Sequence, residues 1–229
     1  MNAASADLSR LPGAPESLLD RAAAARLPAG TPLPPWACRV EGVLWWHRAP
    51  ARAALPHTAL AGTGARPYVV GALLHYLDSP VGPYREVLAG VVGRAGLLPG
   101  VGIPFIAVDS PASVQGGRAH WALPKVLATF CGPDPFGATQ AEGDGWQLAA
   151  HPRPRGPRLP VAGRLRGRQR DAAGRPVGST STAYGTARPA RVDVRVDSAL
   201  AGEPGSIAGW LLSGRHPGAL LRARLRVSC

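Results

Sequence analysis

Glycine and proline, 29 and 25 of the 229 residues, cut this chain into short segments and constrain its fold more than any other feature. Proline removes a backbone donor and glycine weakens a helix, so closely spaced copies of both favour short strands and turns over long helices. Between them lie short apolar runs. Val43-Leu44-Trp45-Trp46, Tyr68 to Tyr76, Glu86 to Val92, Ile103 to Val108 and Val192 to Val196 read as strands. Arg164 to Arg170 alternates with period two, Asp171-Ala172-Ala173-Gly174 makes a turn, and Gly218 to Val227 alternates again. One helix is signalled: Asp109 or Ser110 can cap it, Pro111 suits its first position, and Pro124 stops it after about Trp121. The pattern predicts a mainly β (α+β) fold, an antiparallel closed or nearly closed β-barrel with one central helix.

Residues 1–35 read as peripheral: a short helix after Pro15, then a Pro-rich linker from Leu27 to Pro35, partly disordered. The domain proper is expected over 36–229. The tryptophans at 45, 46, 121, 146 and 210 are expected in the core and pocket wall.

The net charge of +12 raises nucleic acid as a partner. The arginines from Arg164 to Arg170 read instead as the solvated face of a sheet edge, with no aromatic residue interleaved to stack on bases. No nucleic-acid partner is expected, and no membrane, because no run of 18 apolar residues exists. Cys38, Cys131 and Cys229 are far apart and lack zinc spacing, which suits reduced thiols in a cytoplasmic protein. No metal and no cofactor is expected.

Chemistry is expected at Lys125, the single lysine among 26 basic side chains. Arginine replaces lysine on a solvated face, but a guanidinium stays protonated and cannot attack a carbonyl to form a Schiff base. An unperturbed lysine is neutral only about 0.04% of the time at pH 7, and burial in apolar surroundings is the general route to a usable amine. The flanking Trp121-Ala122-Leu123-Pro124 and Val126-Leu127-Ala128 are apolar enough for such a site. There is no P-loop, no GxGxxG after a strand, no GxSxG elbow and no HExxH, which argues against nucleotide-dependent and zinc-hydrolase chemistry. His75 and His120 lie near these segments as further pocket candidates.

The order of the motifs is informative. Gly82-Pro83-Tyr84-Arg85-Glu86 precedes Pro104-Phe105-Ile106-Ala107-Val108-Asp109-Ser110, followed by Gly117-Arg118 and Pro124-Lys125. This resembles the acetoacetate decarboxylase family, in which a Tyr-x-Glu strand, a strand ending in Asp and a Gly-Arg-Glu helix lead to a Pro-Lys-Lys. The resemblance covers about Tyr68 to Ala128. It implies a Schiff base at Lys125, Glu86 as the active-site carboxylate, and substrate contacts from Arg39, Tyr84 and Arg118, with His120 beside them. The chain departs from the pattern at three positions: Val126 replaces the second lysine, Ala119 the glutamate after Gly-Arg, and Gly71 a pocket glutamate fifteen residues before Glu86. The expected activity is that of a lyase acting on a small keto acid, in a homo-oligomer. A Schiff-base aldolase or dehydratase, or a non-catalytic small-molecule-binding relative, is the alternative on the same scaffold.

Overall fold

The computed structural model describes residues 8–48, 57–60, 68–95, 98–132 and 139–229. Their architecture is mainly β, as the punctuation of the sequence predicts. The strands are β1 Trp36–Arg48, β2 Tyr68–Asp78, β3 Tyr84–Ala95, β4 Leu98–Val108, β5 Lys125–Leu127, β6 Thr129–Cys131, β7 Thr139–Gly143, β8 Trp146–Pro154, β9 Leu159–Arg170, β10 Pro176–Ser198 and β11 Gly214–Ser228. The helices are α1 Arg21–Ala25 and α2 Pro111–Trp121.

Seven strands close a ring in the order β11-β1-β2-β3-β4-β9-β10, with β10 returning to β11. The neighbours are antiparallel except at β4–β9, which share only the parallel pairs Gly100–Arg166 and Val101–Gly167. A side chain strengthens that seam. Gln169 accepts from the Ile103 N–H at 2.7 Å and donates to the Ile103 carbonyl at 2.9 Å, so its amide acts as a substitute peptide. Strand β10 is long enough to serve two neighbours in turn: Pro176 to Ala187 pairs with β9, and Ala190 to Ser198 pairs with β8.

Strand alternation divides the side chains between two compartments. Cys38, Val40, Tyr76, Tyr84, Glu86 and Leu88 face the inside of the ring. Val43, Trp45, Val69, Leu73, Val87 and Phe105 face a second core, where Phe105 meets Trp146 edge-on at 5.0 Å. Trp45, Trp146 and Trp210 are buried in that core and Trp121 lines the inner cavity, but Trp46 is exposed, contrary to the sequence expectation.

Two other expectations need correction. The arginine-bearing part of β9 is not a sheet edge, because it lies between β4 and β10. Arg164 and Arg166 alternate with Leu165 and Gly167, which line the cavity. The N-terminal segment is also more embedded than its composition suggests. Leu11, Ala14, Glu16, Ser17 and Leu19 are buried. The Glu16 carboxylate accepts from the Ser198 and Ser206 hydroxyls and the Ile207 N–H, at 2.6–3.2 Å. Ser17 Oγ accepts from the Ile106 N–H at 3.3 Å, and the Ala14 N–H donates to the Pro104 carbonyl at 2.8 Å. The segment therefore straps across β4, a placement that its prolines and alanines do not announce.

Candidate active site

The site is assembled by one turn, one helix and the strand that follows it. Between β2 and β3 the chain reverses through Ser79 to Pro83. Gly82 takes φ +84°, and the Ser79 hydroxyl serves both the Val81 N–H and the Gly82 carbonyl. The hairpin sets Tyr76 opposite Tyr84 and Leu74 opposite Glu86. At the end of β4, Asp109 Oδ1 accepts from the Arg85 N–H at 2.7 Å and so ties β4 to β3. Ser110, the other capping candidate, is the N-cap: its hydroxyl accepts from the Ser113 N–H at 3.2 Å.

Helix α2 ends as the proline predicts, with an added twist. Ala122 takes the left-handed conformation at φ +51°, and the Ala122 and Leu123 N–H groups both bond the Gly117 carbonyl. This sharp exit turns Lys125 back beneath the helix. Strand β5 then pairs in parallel with β4, Lys125 opposite Ile106. The buried Arg118 donates to the Lys125 carbonyl and, at 2.6 Å, to the Leu8 carbonyl. Burial lowers its guanidinium pKa to about 10.

The result is a compact polar cluster. The Lys125 ammonium donates to Glu86 Oε2 at 2.6 Å and to the Ser113 hydroxyl at 3.0 Å. Tyr76 donates from its hydroxyl to Glu86 Oε1 at 3.1 Å. Lys125 Nζ lies 5.2 Å from the centre of the Tyr84 ring, which stacks on Tyr76 at 4.3 Å. Lys125 is 4% exposed, Glu86 2% and Ser113 0%, so solvent does little to screen the pair. Burial, and then the Glu86 charge, push the Tyr76 and Tyr84 phenols well above the usual range. Both therefore stay protonated donors. The same two causes push the Cys38 thiol up to about 12, which makes it a small neutral wall residue.

The cluster lies in the wall of a cavity of about 460 Å³ inside the ring. Its other walls are largely aliphatic, with Trp36 and Trp121 at the helix end, and it reaches exposed residues at Gly163 to Leu165.

The structure brings together Lys125, Glu86 and Tyr84 in the cavity wall and leaves the remaining candidates out of the lining. Arg39 is exposed on the outer face of β1, because Cys38 and Val40 take the inward positions on either side of it. Arg118 gives its Nε and Nη1 to backbone carbonyls and braces the Lys125 backbone from outside the cavity lining, while its buried Nη2 has no partner among the described residues. His120 is half-buried behind the helix, 3.0 Å from the Thr31 hydroxyl and edge-on to Trp36. His75 alternates with the inward-facing Leu74 and Tyr76 and lies outside the cavity.

The three departures from the decarboxylase pattern also lie off the cavity. Val126 faces the second core, since β5 alternates and Lys125 takes the inner side. Ala119 is exposed. A β-carbon on Gly71 would meet the Trp45 indole at 2.3 Å, on the face away from Glu86. The sequence reading missed Tyr76 and Ser113. Tyr76 had a usable signal, near the end of an apolar run just before a turn whose far side carries Tyr84 and Glu86.

No family model matches the chain, and no curated protein matches it by sequence. Solved structures do match by shape. One described as acetoacetate decarboxylase superposes with a TM-score of 0.63 at 11% identity, covering 92% of this chain and 96% of that one. Acetoacetate decarboxylase from Legionella pneumophila gives 0.61 at 15% identity, covering 100% and 95%. The enduracididine biosynthesis enzyme MppR gives 0.58 at 16% identity, covering 86% and 87%. That enzyme has also been solved with pyruvate and with a condensation product of pyruvate and imidazole 4-carboxaldehyde. At these identities the likeness speaks for the fold, and it agrees with the motif order read along the sequence: the chain has the fold of the acetoacetate decarboxylases.

Proposed function

We propose that this protein is a carbon–carbon lyase of the acetoacetate decarboxylase type, forming a Schiff base between Lys125 and the carbonyl of a keto acid. The observation that carries the reading is the buried 2.6 Å contact between Lys125 and Glu86 in the wall of an apolar cavity. The reaction opens with transfer of one proton from the Lys125 ammonium to Glu86 across that contact.

The freed amine attacks the substrate carbonyl to give a carbinolamine. Glu86 returns its proton to the departing hydroxyl, which leaves as water, and a protonated imine remains. That imine draws in the electron pair of the neighbouring C–C bond, so CO₂ departs from a β-keto acid and an enamine forms. Glu86, reprotonated from water, passes a proton to the enamine carbon to give an imine, and a second water releases the ketone and regenerates Lys125. Tyr76 and Ser113 hold the two reacting groups in line throughout, one on the carboxylate and one on the amine.

An aldolase or dehydratase uses the same enamine to attack an aldehyde. The MppR likeness supports that second reading, because that enzyme has been solved with a condensation product of two carbonyl compounds. The test is reductive trapping: incubate with keto acids, add borohydride and locate the adduct by mass spectrometry. An adduct at Lys125, lost in Lys125→Arg, supports the proposal. No adduct with any carbonyl compound would sink both readings.

A further inference from the structure

The cavity beside Lys125 is larger and more apolar than a short keto acid needs. Its volume of about 460 Å³ matches about fifteen waters of liquid at ~30 Å³ each. Pyruvate or acetoacetate, with at most about seven non-hydrogen atoms, leaves roughly half of such a space unfilled. Unfilled apolar walls forfeit their dispersion contacts.

The shape of the wall says what fills the rest. Beyond Glu86 the inward positions are Leu88 and Val92 on β3, Ala72 and Val70 on β2, and Ile103 and Val101 on β4. From Glu86 to Val92 the strand advances about 20 Å at ~3.3 Å per residue. Away from the Lys125 cluster, the uncharged polar side chains of the lining are Gln169 and the Ser179 and Ser181 hydroxyls on β10. The Gln169 amide is spent on the Ile103 backbone. Among the described residues, the charged groups of the lining are Glu86, Lys125 and the exposed Arg164. A carboxylate carried into the aliphatic part would lose its water and meet no cation short of Arg164 at the exposed mouth, while a hydrocarbon chain would gain from the same surroundings.

We infer that the cavity is a binding site for an unbranched apolar tail, so that the substrate is a ketone or β-keto acid of about eight to twelve carbons. The carbonyl end rests on the Schiff-base reading above; the tail end does not.

The test is a length series. Methyl ketones from acetone to methyl decyl ketone, and β-keto acids of matching length, are titrated with borohydride trapping at Lys125 as the readout. The half-saturating concentration should fall about threefold to fourfold per added methylene, from ~0.8 kcal/mol per buried CH₂, and level off when the cavity is full. Release of CO₂ from the long β-keto acids assigns the substrate to them, and its absence assigns it to the neutral ketones. A flat series, or pyruvate and acetone saturating as readily as the long ketones, overturns the inference. Ala72→Phe and Ala223→Leu fill inward positions, and either should move the plateau to shorter chains; an unmoved plateau in both, with the fold intact, counts against it.

A second readout separates the two ends. Trp36 and Trp121 line the cavity, so quenching of tryptophan fluorescence reports occupancy without covalent chemistry. In the double variant Lys125→Met, Glu86→Gln, which leaves no unpaired charge, quenching by the ketones should keep its dependence on length. Quenching that depends on length, with no adduct from any carbonyl in wild type, would remove the Schiff-base reading and keep the tail site. An adduct that forms without length dependence would do the reverse.

Discussion

A β-carbon placed on Gly117 would lie 2.5 Å from Cδ of Lys125 and 2.8 Å from Cε. The bare glycine is the channel through which the lysine side chain passes under α2 to reach Glu86. Alanine there favours the helix by up to about 1 kcal/mol, and the clash falls on a flexible side chain rather than on backbone. Gly117→Ala should therefore keep the fold and displace the amine. The expected outcome is an unchanged or slightly raised melting temperature with borohydride trapping slowed by at least about tenfold, since a small misplacement of a reacting group is costly. Equal trapping rates in the two proteins would show that Lys125 does not need that path.

The proposed mechanism gives Glu86 the task of moving protons, and the neutral isostere separates that role from packing. Glu86→Gln keeps the shape and still accepts from Tyr76, but it can neither take the lysine proton nor return it. Turnover should fall by ~10²–10⁴-fold, with adduct formation slowed less. Parallel measurements of product release and of trapped adduct, each against pH, check the split. A variant with wild-type turnover would reduce Glu86 to a structural counter-ion.

The strands of the ring, the helix with its Ser110–Pro111 start, and Lys125 were legible because each depends on local sequence: alternation, a cap, and a unique residue type in an apolar run; Glu86 came from the order of the motifs, and the strands Thr129–Cys131, Thr139–Gly143 and Trp146–Pro154 were not read. What was not legible depends on which face a residue takes. Arg39 and Cys38 are neighbours in sequence, yet only the second lines the cavity, and nothing local says which of two alternating positions looks inward. Tyr76 and Ser113 come to Glu86 and Lys125 through a hairpin register and a helix turn. The strap from Leu8 to Leu19 depends on Glu16 finding partners at Ser198, Ser206 and Ile207, far along the chain.

The same question of facing decides Val126 and Ala119, where the chain departs from the decarboxylase pattern. Val126 points into the second core, so Val126→Lys would bury an unpaired ammonium there instead of adding a cation beside Lys125. The variant should lose more than about 3 kcal/mol of stability and gain no decarboxylase activity. Ala119→Glu, on an exposed site, should change stability by no more than about 0.5 kcal/mol. Denaturant melts with CO₂ release on β-keto acids check both. Faster CO₂ release in a folded Val126→Lys protein would mean that the second lysine reaches the cavity after all.

His47 and His216 form a pair on the second-core side, their rings 4.7 Å apart. His47 Nε2 accepts from the Leu212 N–H at 3.3 Å, and His216 Nε2 lies 2.8 Å from the Leu212 carbonyl. Burial, and then the neighbouring His216, lower the His47 pKa below the usual 6.5. Protonation would also destroy the acceptor that the Leu212 N–H uses. The unfolded chain then binds the His47 proton at a higher pH than the folded one does. Stability contributed by the neutral ring is fully present above about pH 6.5 and is lost as the pH falls toward the folded-state value. Burial lowers His57 as well, so the same sign applies to both rings. Denaturant melts from pH 7.5 down to about 5 should show falling stability. His47→Gln, which can still accept from Leu212, should flatten part of that slope and leave the His57 share. A slope identical in the variant and the wild type would remove His47 from the account.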